Sequence, residues 1–298
     1  MCTSPLNLSD RTVKCGQCKT CLQNKAYEWA NRLGIEAKNS SSGYFITLTY
    51  HDDKAIWVDT YHEIKSPPKS YMGLTPRSEL SKVPITVTTL SKRDVQLFMK
   101  RLRKYQERFK DDSRYNTLRY YLTGEYGTKT KRAHYHVLLF NAFPETIEAC
   151  EHLWGKGSVH IGDLNDNTIR YVSNYMLTKN IDCYENQERP FSLMSRRPAI
   201  GFDYVSQNWS SHMKNASHKF KLPTKSRPNL PRTYEKYVIL PEDKELVRKN
   251  KEVEYNAFKT DQLQDAEKKC PEDPLGYIRE QKAHKEKIKL YRAKKRKL

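Results

Sequence analysis

Apolar residues recur along this chain at two periods. Over 92–110 (KRDVQLFMKRLRKYQERFK), Val95, Phe98, Met99, Leu102, Tyr105 and Phe109 fall at helical spacing and the opposite face is basic, which predicts an amphipathic helix. A second helix is expected over 22–38, with Tyr27, Trp29, Leu33 and Ile35 as its apolar contacts, ended by the Ser/Gly run at 40–43. The short β-branched and aromatic run YFITLTY (44–50) reads as a strand. LRYYLTGEYG (118–127) and AHYHVLLF (133–140) read as a strand pair joined through Gly127 and the polar TKTKR stretch. GSVHIG (157–162) is a further strand, and PITVTTL (84–90) a strand or an extended lead-in. FPETIEACEHLW (143–154) and NTIRYVSNYMLTKN (167–180) read as helices, the latter capped by Asn167 or Thr168. His51 to Pro84 is polar, contains Pro67 and Pro68, and is expected to be a loop over one face.

Helices alternating with strands around a central hairpin predict an α+β fold, with an antiparallel central sheet flanked by helices. Beyond about residue 185 the pattern weakens. Residues 189–237 are basic with scattered Pro, Ser and Asn, and 241–298 look helical and charged, interrupted by Pro271 and Pro274. Residues 282–297 hold nine Lys/Arg against one Glu. No internal repeat is visible.

Composition narrows the function. Hydrophobic residues make up 37% of the 298 positions, enough for a packed core. Lys and Arg outnumber Asp and Glu by 54 to 35, a net charge of +19, which points to a polyanionic partner such as nucleic acid. The 20 tyrosines suit stacking on bases. No run of about 18 apolar residues occurs, so no membrane partner is expected. The first residues lack the basic start and apolar stretch of a signal peptide, so a reducing cytoplasm is expected. There the seven cysteines are thiols or metal ligands rather than disulfides.

His134 and His136 stand at i and i+2 of a predicted strand and so share a face. With nine His in the chain, chance alone supplies roughly 0.3 such pairs, so the pair needs context. Without it, the two are polar positions on a half-buried strand. Glu125, across the predicted hairpin, brings a carboxylate within reach. Two imidazoles and a carboxylate leave open positions on Mg²⁺ or Mn²⁺ for a phosphate oxygen and water. Otherwise Glu125 is an exposed strand-end charge. Tyr171, Tyr175 and Lys179 share one helical face, either as aromatics packed on a sheet or as a reactive stripe. In the second case a tyrosine oxygen attacks a phosphodiester, forms a phosphotyrosine and expels a 3′-OH. Lys179 would stabilise the developing charge. Cys2, Cys15, Cys18 and Cys21 supply four thiolates, the number that closes a tetrahedral structural Zn²⁺ site. Free thiols and iron–sulfur ligation are the alternatives. Cys150, Cys183 and Cys270 have no partner by spacing.

The order FITLTY (45–50), GEYG…HYH (124–136) and YVSNYMLTK (171–179) resembles the three motifs of rolling-circle initiators of the HUH endonuclease superfamily. CGQCKTC, DVQLFMKRLRK, RAHYHVLLF and FSLMSRRPAIG (191–201) together resemble the microvirus, gokushovirus-type, replication initiators. The resemblance covers roughly residues 2–237. It implies a ferredoxin/RRM-like core over 41–185, a Cys-rich segment and helix over 1–40, a basic family-specific extension over 186–240 and a charged helical tail over 241–298. It also implies a site-specific nickase and strand transferase that cuts single-stranded origin DNA of a small circular phage genome in the host bacterial cytoplasm. It would form a 5′-phosphotyrosine and rejoin the product. Tyr171 and Tyr175 match the nucleophiles, Lys179 the assisting lysine, and His134, His136 and Glu125 the ligands of Mg²⁺ or Mn²⁺. No Walker A string occurs, so helicase and polymerase would come from the host, and no small-molecule substrate is implied. In that setting the basic tail reads as a sequence-independent DNA contact. A catalytically inactive nucleic-acid-binding protein and a related HUH transposase or relaxase are the competing readings.

Overall fold

The computed structural model describes residues 2, 6–9, 12–63, 82–112, 116–127, 130–175, 183–215, 217–220, 229–281 and 283. The chain divides into two compact units, Met1–Gln207 and Asn208–Leu298. No helix among the described residues is long and apolar enough to cross a membrane.

The first unit opens with β1 (Leu6–Asn7) and β2 (Thr12–Val13), a two-stranded pair, followed by α1 (Lys19–Lys38) and β3 (Gly43–Thr49). Next come β4 (Ile56–Glu63), β5 (Lys82–Thr89), α2 (Lys92–Gln106), β6 (Arg119–Tyr126) and β7 (Ala133–Phe140). The series closes with α3 (Pro144–Glu148), α4 (Cys150–Trp154), β8 (Val159–Asp163), α5 (Asp166–Asn174) and β9 (Phe191–Met194). The central sheet has five strands in the order β8-β3-β7-β6-β9, and every pairing is antiparallel.

Strand alternation sends successive side chains to opposite faces. On one face Ile46, Leu48, Leu122, Tyr135, Val137 and Leu139 pack against Val95, Phe98, Met99 and Leu102 of α2 and Trp154 of α4. On the other, Tyr121, Leu138 and Phe140 pack against Ala26, Trp29 and Leu33 of α1 and Ile169 and Val172 of α5. Each helix thus buries the stripe that its apolar spacing marks. Tyr27 departs from the expected stripe and lies exposed. Ser91 caps α2, its hydroxyl accepting from the Asp94 backbone N–H at 3.2 Å. A buried Glu36–Arg119 ion pair ties α1 to the start of β6, and the Glu36 carboxylate also accepts from the Gly201 N–H at 2.6 Å.

The structure corrects three readings of the sequence. His51 to Pro84 is not all loop: Ile56–Glu63 pairs with Lys82–Thr89 as a separate hairpin, and PITVTTL is its second strand. The β-branched and aromatic residues Ile56, Trp57, Val58, Thr60 and Tyr61 carry that strand, while the prolines lie in 64–81, outside the described residues. The 143–154 helix is two short ones, α3 and α4. The cap of α5 is Asn165, whose side chain accepts from the Asn167 and Thr168 N–H groups. Thr168 closes a capping box from N3.

In the second unit α7 (Arg232–Val238) and α8 (Lys244–Lys269) are the main helices. Phe220 and Tyr234 pack ring to ring within a small core that includes Val238 and Val247. α6 (Asp203–Asn215) spans the boundary between the units.

Candidate metal and tyrosine site

The face of the sheet under α1 and α5 is apolar at one end and polar at the other. Register pairs Glu125 on β6 with His134 on β7, and Thr123 with His136, while Thr47 on β3 faces His136 from the other side. These five side chains therefore project from the same face of three adjacent strands. Glu125 Oε1 lies 2.7 Å from His134 Nε2 and 3.1 Å from His136 Nε2. Ligand atoms of all three residues fall within 4.8 Å of one another. The trio expected from the sequence is thus brought together, Glu125 included.

The outer nitrogens of both rings are held. His136 Nδ1 lies 3.0 Å from Thr47 Oγ1, and His134 Nδ1 lies 3.2 Å from the Arg132 carbonyl oxygen. A carbonyl only accepts, so His134 Nδ1 carries a hydrogen and its Nε2 is the nitrogen left for Glu125 or an ion. Such outer partners fix tautomer and ring orientation in metal sites. The buried Thr123 hydroxyl, next to His136 in the register, has no hydrogen-bond partner among the described residues. A convergent two-imidazole, one-carboxylate set with oriented rings and a spare hydroxyl beside it fits a divalent cation.

The electrostatics agree with that fit. Burial alone would raise the Glu125 carboxyl, but hydrogen bonds and charge from His134 and His136 outweigh it and hold the carboxyl below its ordinary range. Burial works against a charged His134, yet the Glu125 carboxylate overcomes it and raises the imidazole above its ordinary value. At His136 burial wins, helped by the charge of His134, and the value falls. His134 therefore takes the proton that balances Glu125, in the place a cation would fill.

Two phenols sit over this cluster. α5 carries Tyr171, and Tyr175 follows at its C-terminal cap. The Tyr175 ring stacks on His136 with centroids 5.6 Å apart, and the Tyr171 ring meets His136 edge-on at 5.3 Å. The two phenol rings are 4.9 Å apart. Phe45 supports the arrangement, stacking on His136 at 5.3 Å. Tyr171 is 48% exposed, so the cluster opens to solvent. Burial raises both phenol pKa values, and the Glu125 charge adds to the rise. The inward packing expected of this helix holds for Ile169 and Val172, while Met176 and Lys179 lie outside the described residues.

Other buried tyrosines are placed differently. Tyr135 is on the opposite face, its hydroxyl accepting from the Ser91 N–H at 2.7 Å, and burial pushes it up to about 12. Tyr121 is fully buried against Trp29 and is also pushed up to about 12 by burial. Sequence reasoning missed Thr47, Thr123 and Phe45. The signal was the alternation in YFITLTY, where Phe45 and Thr47 share a face while Ile46 and Leu48 take the other.

A second group of side chains can also hold a metal: Cys2, Cys15, Cys18 and Cys21, whose sulfurs lie within 4.8 Å of one another.

Comparison with known proteins finds relatives. Residues 43–180 match the replication-associated protein ORF2 family, a span from β3 through the segment that follows Tyr175. The replication-associated protein VP4 of Bdellovibrio phage phiMH2K is 27% identical over 283 residues, covering 87% of this chain and 79% of that protein. Replication-associated protein ORF2 of Spiroplasma virus 4 is 27% identical over 214 residues, 66% of this chain and 58% of that one. Replication-associated protein ORF4 of Chlamydia phage 1 is 24% identical over 216 residues, 64% of this chain and 45% of that one. No solved structure matches.

Proposed function

We infer that this chain, a replication-associated protein of the microvirus type, starts rolling-circle replication by nicking single-stranded origin DNA through Tyr171 or Tyr175. The observation that carries this reading is the placement of both phenols over the Glu125–His134–His136 cluster. A protein that only bound DNA would need neither the trio nor two tyrosines stacked on one of its histidines.

His134, His136 and Glu125 would hold Mg²⁺ or Mn²⁺, with Thr47 and the Arg132 carbonyl keeping the rings aimed. When bound, the ion supplies Lewis-acid polarisation of the scissile phosphate. The chain's own groups do the rest. Its excess of Lys and Arg attracts the strand. A tyrosine oxygen forms a bond to phosphorus, the bond from phosphorus to the 3′ oxygen breaks, and the phenol proton ends on the released 3′ oxygen. Bond energy is conserved in the phosphotyrosine, so no nucleotide cofactor is consumed, and attack by a 3′-OH in reverse rejoins the strand. With the first 5′ end still attached to one tyrosine, the second phenol, one turn away, can make the next cut. Lys179 would stabilise charge at the reacting phosphate. Strand separation and synthesis would fall to a host helicase and polymerase in the bacterial cytoplasm.

The test is a single-stranded oligonucleotide spanning the phage origin, incubated with the full chain and Mn²⁺ and run on a denaturing gel. A covalent protein–DNA band is expected. Retarded mobility on a native gel with no covalent band would identify a binder without nuclease chemistry and overturn the reading.

A further inference from the structure

We propose that Cys2, Cys15, Cys18 and Cys21 form a tetrathiolate zinc site that fastens the N-terminal segment to the first turn of α1, separate from the catalytic ion. The sulfur spacings carry the argument. Cys2 and Cys15 Sγ are 3.5 Å apart, Cys2 and Cys18 3.8 Å, and Cys15 and Cys21 4.0 Å. A zinc–sulfur bond of about 2.3 Å in a regular tetrahedron sets the sulfurs about 3.8 Å apart. A disulfide needs about 2.05 Å, so the four are arranged around a point rather than bonded in pairs. The same spacing has room for one ion; a multi-iron core placed among these sulfurs would have to drive them apart.

The local backbone is built for thiolates. The Cys15 N–H donates to Cys2 Sγ at 3.4 Å, and the Cys18 N–H donates to Cys15 Sγ at 3.2 Å. Gly16, at φ +73°, makes the left-handed turn between the second and third ligands, a conformation that disfavours a side chain. Cys18 occupies the N-cap of α1 but makes no side-chain cap bond, so the cap position serves the cluster instead.

The segment also lacks any other means of order. β1 and β2 pair over only two residues each, and Leu6 and Leu8 are about half exposed. A two-stranded ribbon of that size does not hold itself in water. A metal cross-link between residue 2 and residues 15–21 supplies the missing constraint, because binding free energy at a structural zinc site is folding free energy. The direction of α1 gives the link a position. Glu36 meets Arg119 at the start of β6, and Trp29 meets Tyr121 two residues nearer Glu125. The N-terminal turn of α1, with Cys21, therefore points toward the Glu125 end of the sheet.

The experiment is metal analysis of the full-length chain purified under reducing conditions, alongside Cys15→Ser/Cys18→Ser and His134→Ala/His136→Ala double variants. One zinc per chain is expected in the natural sequence and in the histidine variant, and none in the cysteine variant. Titrating the natural sequence with an organomercurial should release that zinc in step with thiol modification, a readout that holds even if the cysteine variant fails to fold. Replacement by Co²⁺ should give sulfur-to-metal charge-transfer absorption and the strong visible bands of a tetrahedral ion. Absence of zinc in the natural sequence, iron in its place, or loss of zinc from the histidine variant alone would overturn the proposal. None of those results would touch the nickase reading, which the covalent adduct tests.

Discussion

Down one face of β7, His134 and His136 are followed by Leu138 and Phe140, and the two pairs lie in opposite surroundings. Leu138 and Phe140 are fully buried beneath α1 and α5, with Trp29, Leu33 and Val172 against them. His134 and His136 carry the same face on toward Glu125, Thr47 and the two phenols, where Tyr171 is open to solvent. One strand thus anchors the helix that carries Tyr171 and also presents ligands beneath that tyrosine. The lesson is about rigidity: because the apolar half is packed, the polar half can hold several side chains in fixed relation without a loop to move.

That comparison breaks most sharply at the histidines. His136→Ala should abolish covalent adduct formation while the chain stays folded and its DNA affinity remains mostly intact, since the basic surface supplies affinity. A gel assay beside a filter-binding curve reads both; normal cleavage by this variant in Mn²⁺ would refute the metal assignment. At the other end, Leu138→Ala should cost about 2–5 kcal/mol of stability through the lost burial and the cavity left behind. Denaturant unfolding measures this, and the loss of cleavage should track the unfolded fraction rather than precede it.

Thr47→Val tests the boundary between the halves. The swap keeps the shape but removes the oxygen on His136 Nδ1. Losing such an outer partner typically lowers metal affinity by about 10–100-fold, which Mn²⁺ titration would detect, and stability should change little. The smallest effect is that of pH. Glu125 raises the His134 pKa above the ordinary imidazole value. Acid therefore returns a proton to His134 before it reaches an ordinary histidine, and a protonated imidazole cannot ligate. Mn²⁺ affinity should accordingly begin to fall above about pH 6.5, the ordinary histidine value, and keep falling as pH drops. Glu125→Gln, which removes the charge responsible, should bind the ion weakly at every pH and lose most of this dependence. A flat affinity between about pH 8 and 6, the range around the ordinary histidine value, would contradict the assignment of His134 as a ligand.

Much of this arrangement was legible in the sequence, for reasons that can be named. The period-two pattern of AHYHVLLF placed both histidines on one face, and the hairpin from LRYYLTGEYG set Glu125 opposite His134, because register follows from burial of the alternate positions. The helical spacing of Tyr171 and Tyr175 gave their shared face. The hairpin of Ile56–Glu63 with Lys82–Thr89 was missed because its partners are far apart in sequence, and its polar flanks and prolines masked the β-forming run. The strand Phe191–Met194 was missed too, because four residues carry little periodicity of their own and its pairing with β6 is a tertiary choice. Thr47 was passed over because a threonine in a strand looks like ordinary β propensity until its neighbour across the ladder is known. The sulfur cluster was visible as a motif, but only the fold brings Cys2 back to Cys15 and Cys18.

The central claim is that Tyr171 and Tyr175, resting on the histidine cluster, are the two nucleophiles. It is tested most directly by mass spectrometry of the nucleopeptide trapped after cleavage of a single-stranded origin oligonucleotide. The natural sequence should yield adducts only on the peptide containing these two residues, each single Tyr→Phe variant should shift the adduct to the remaining tyrosine, and Y171F/Y175F should give none. An adduct at Tyr121, Tyr135 or any other tyrosine, or an adduct surviving in the double variant, would contradict it.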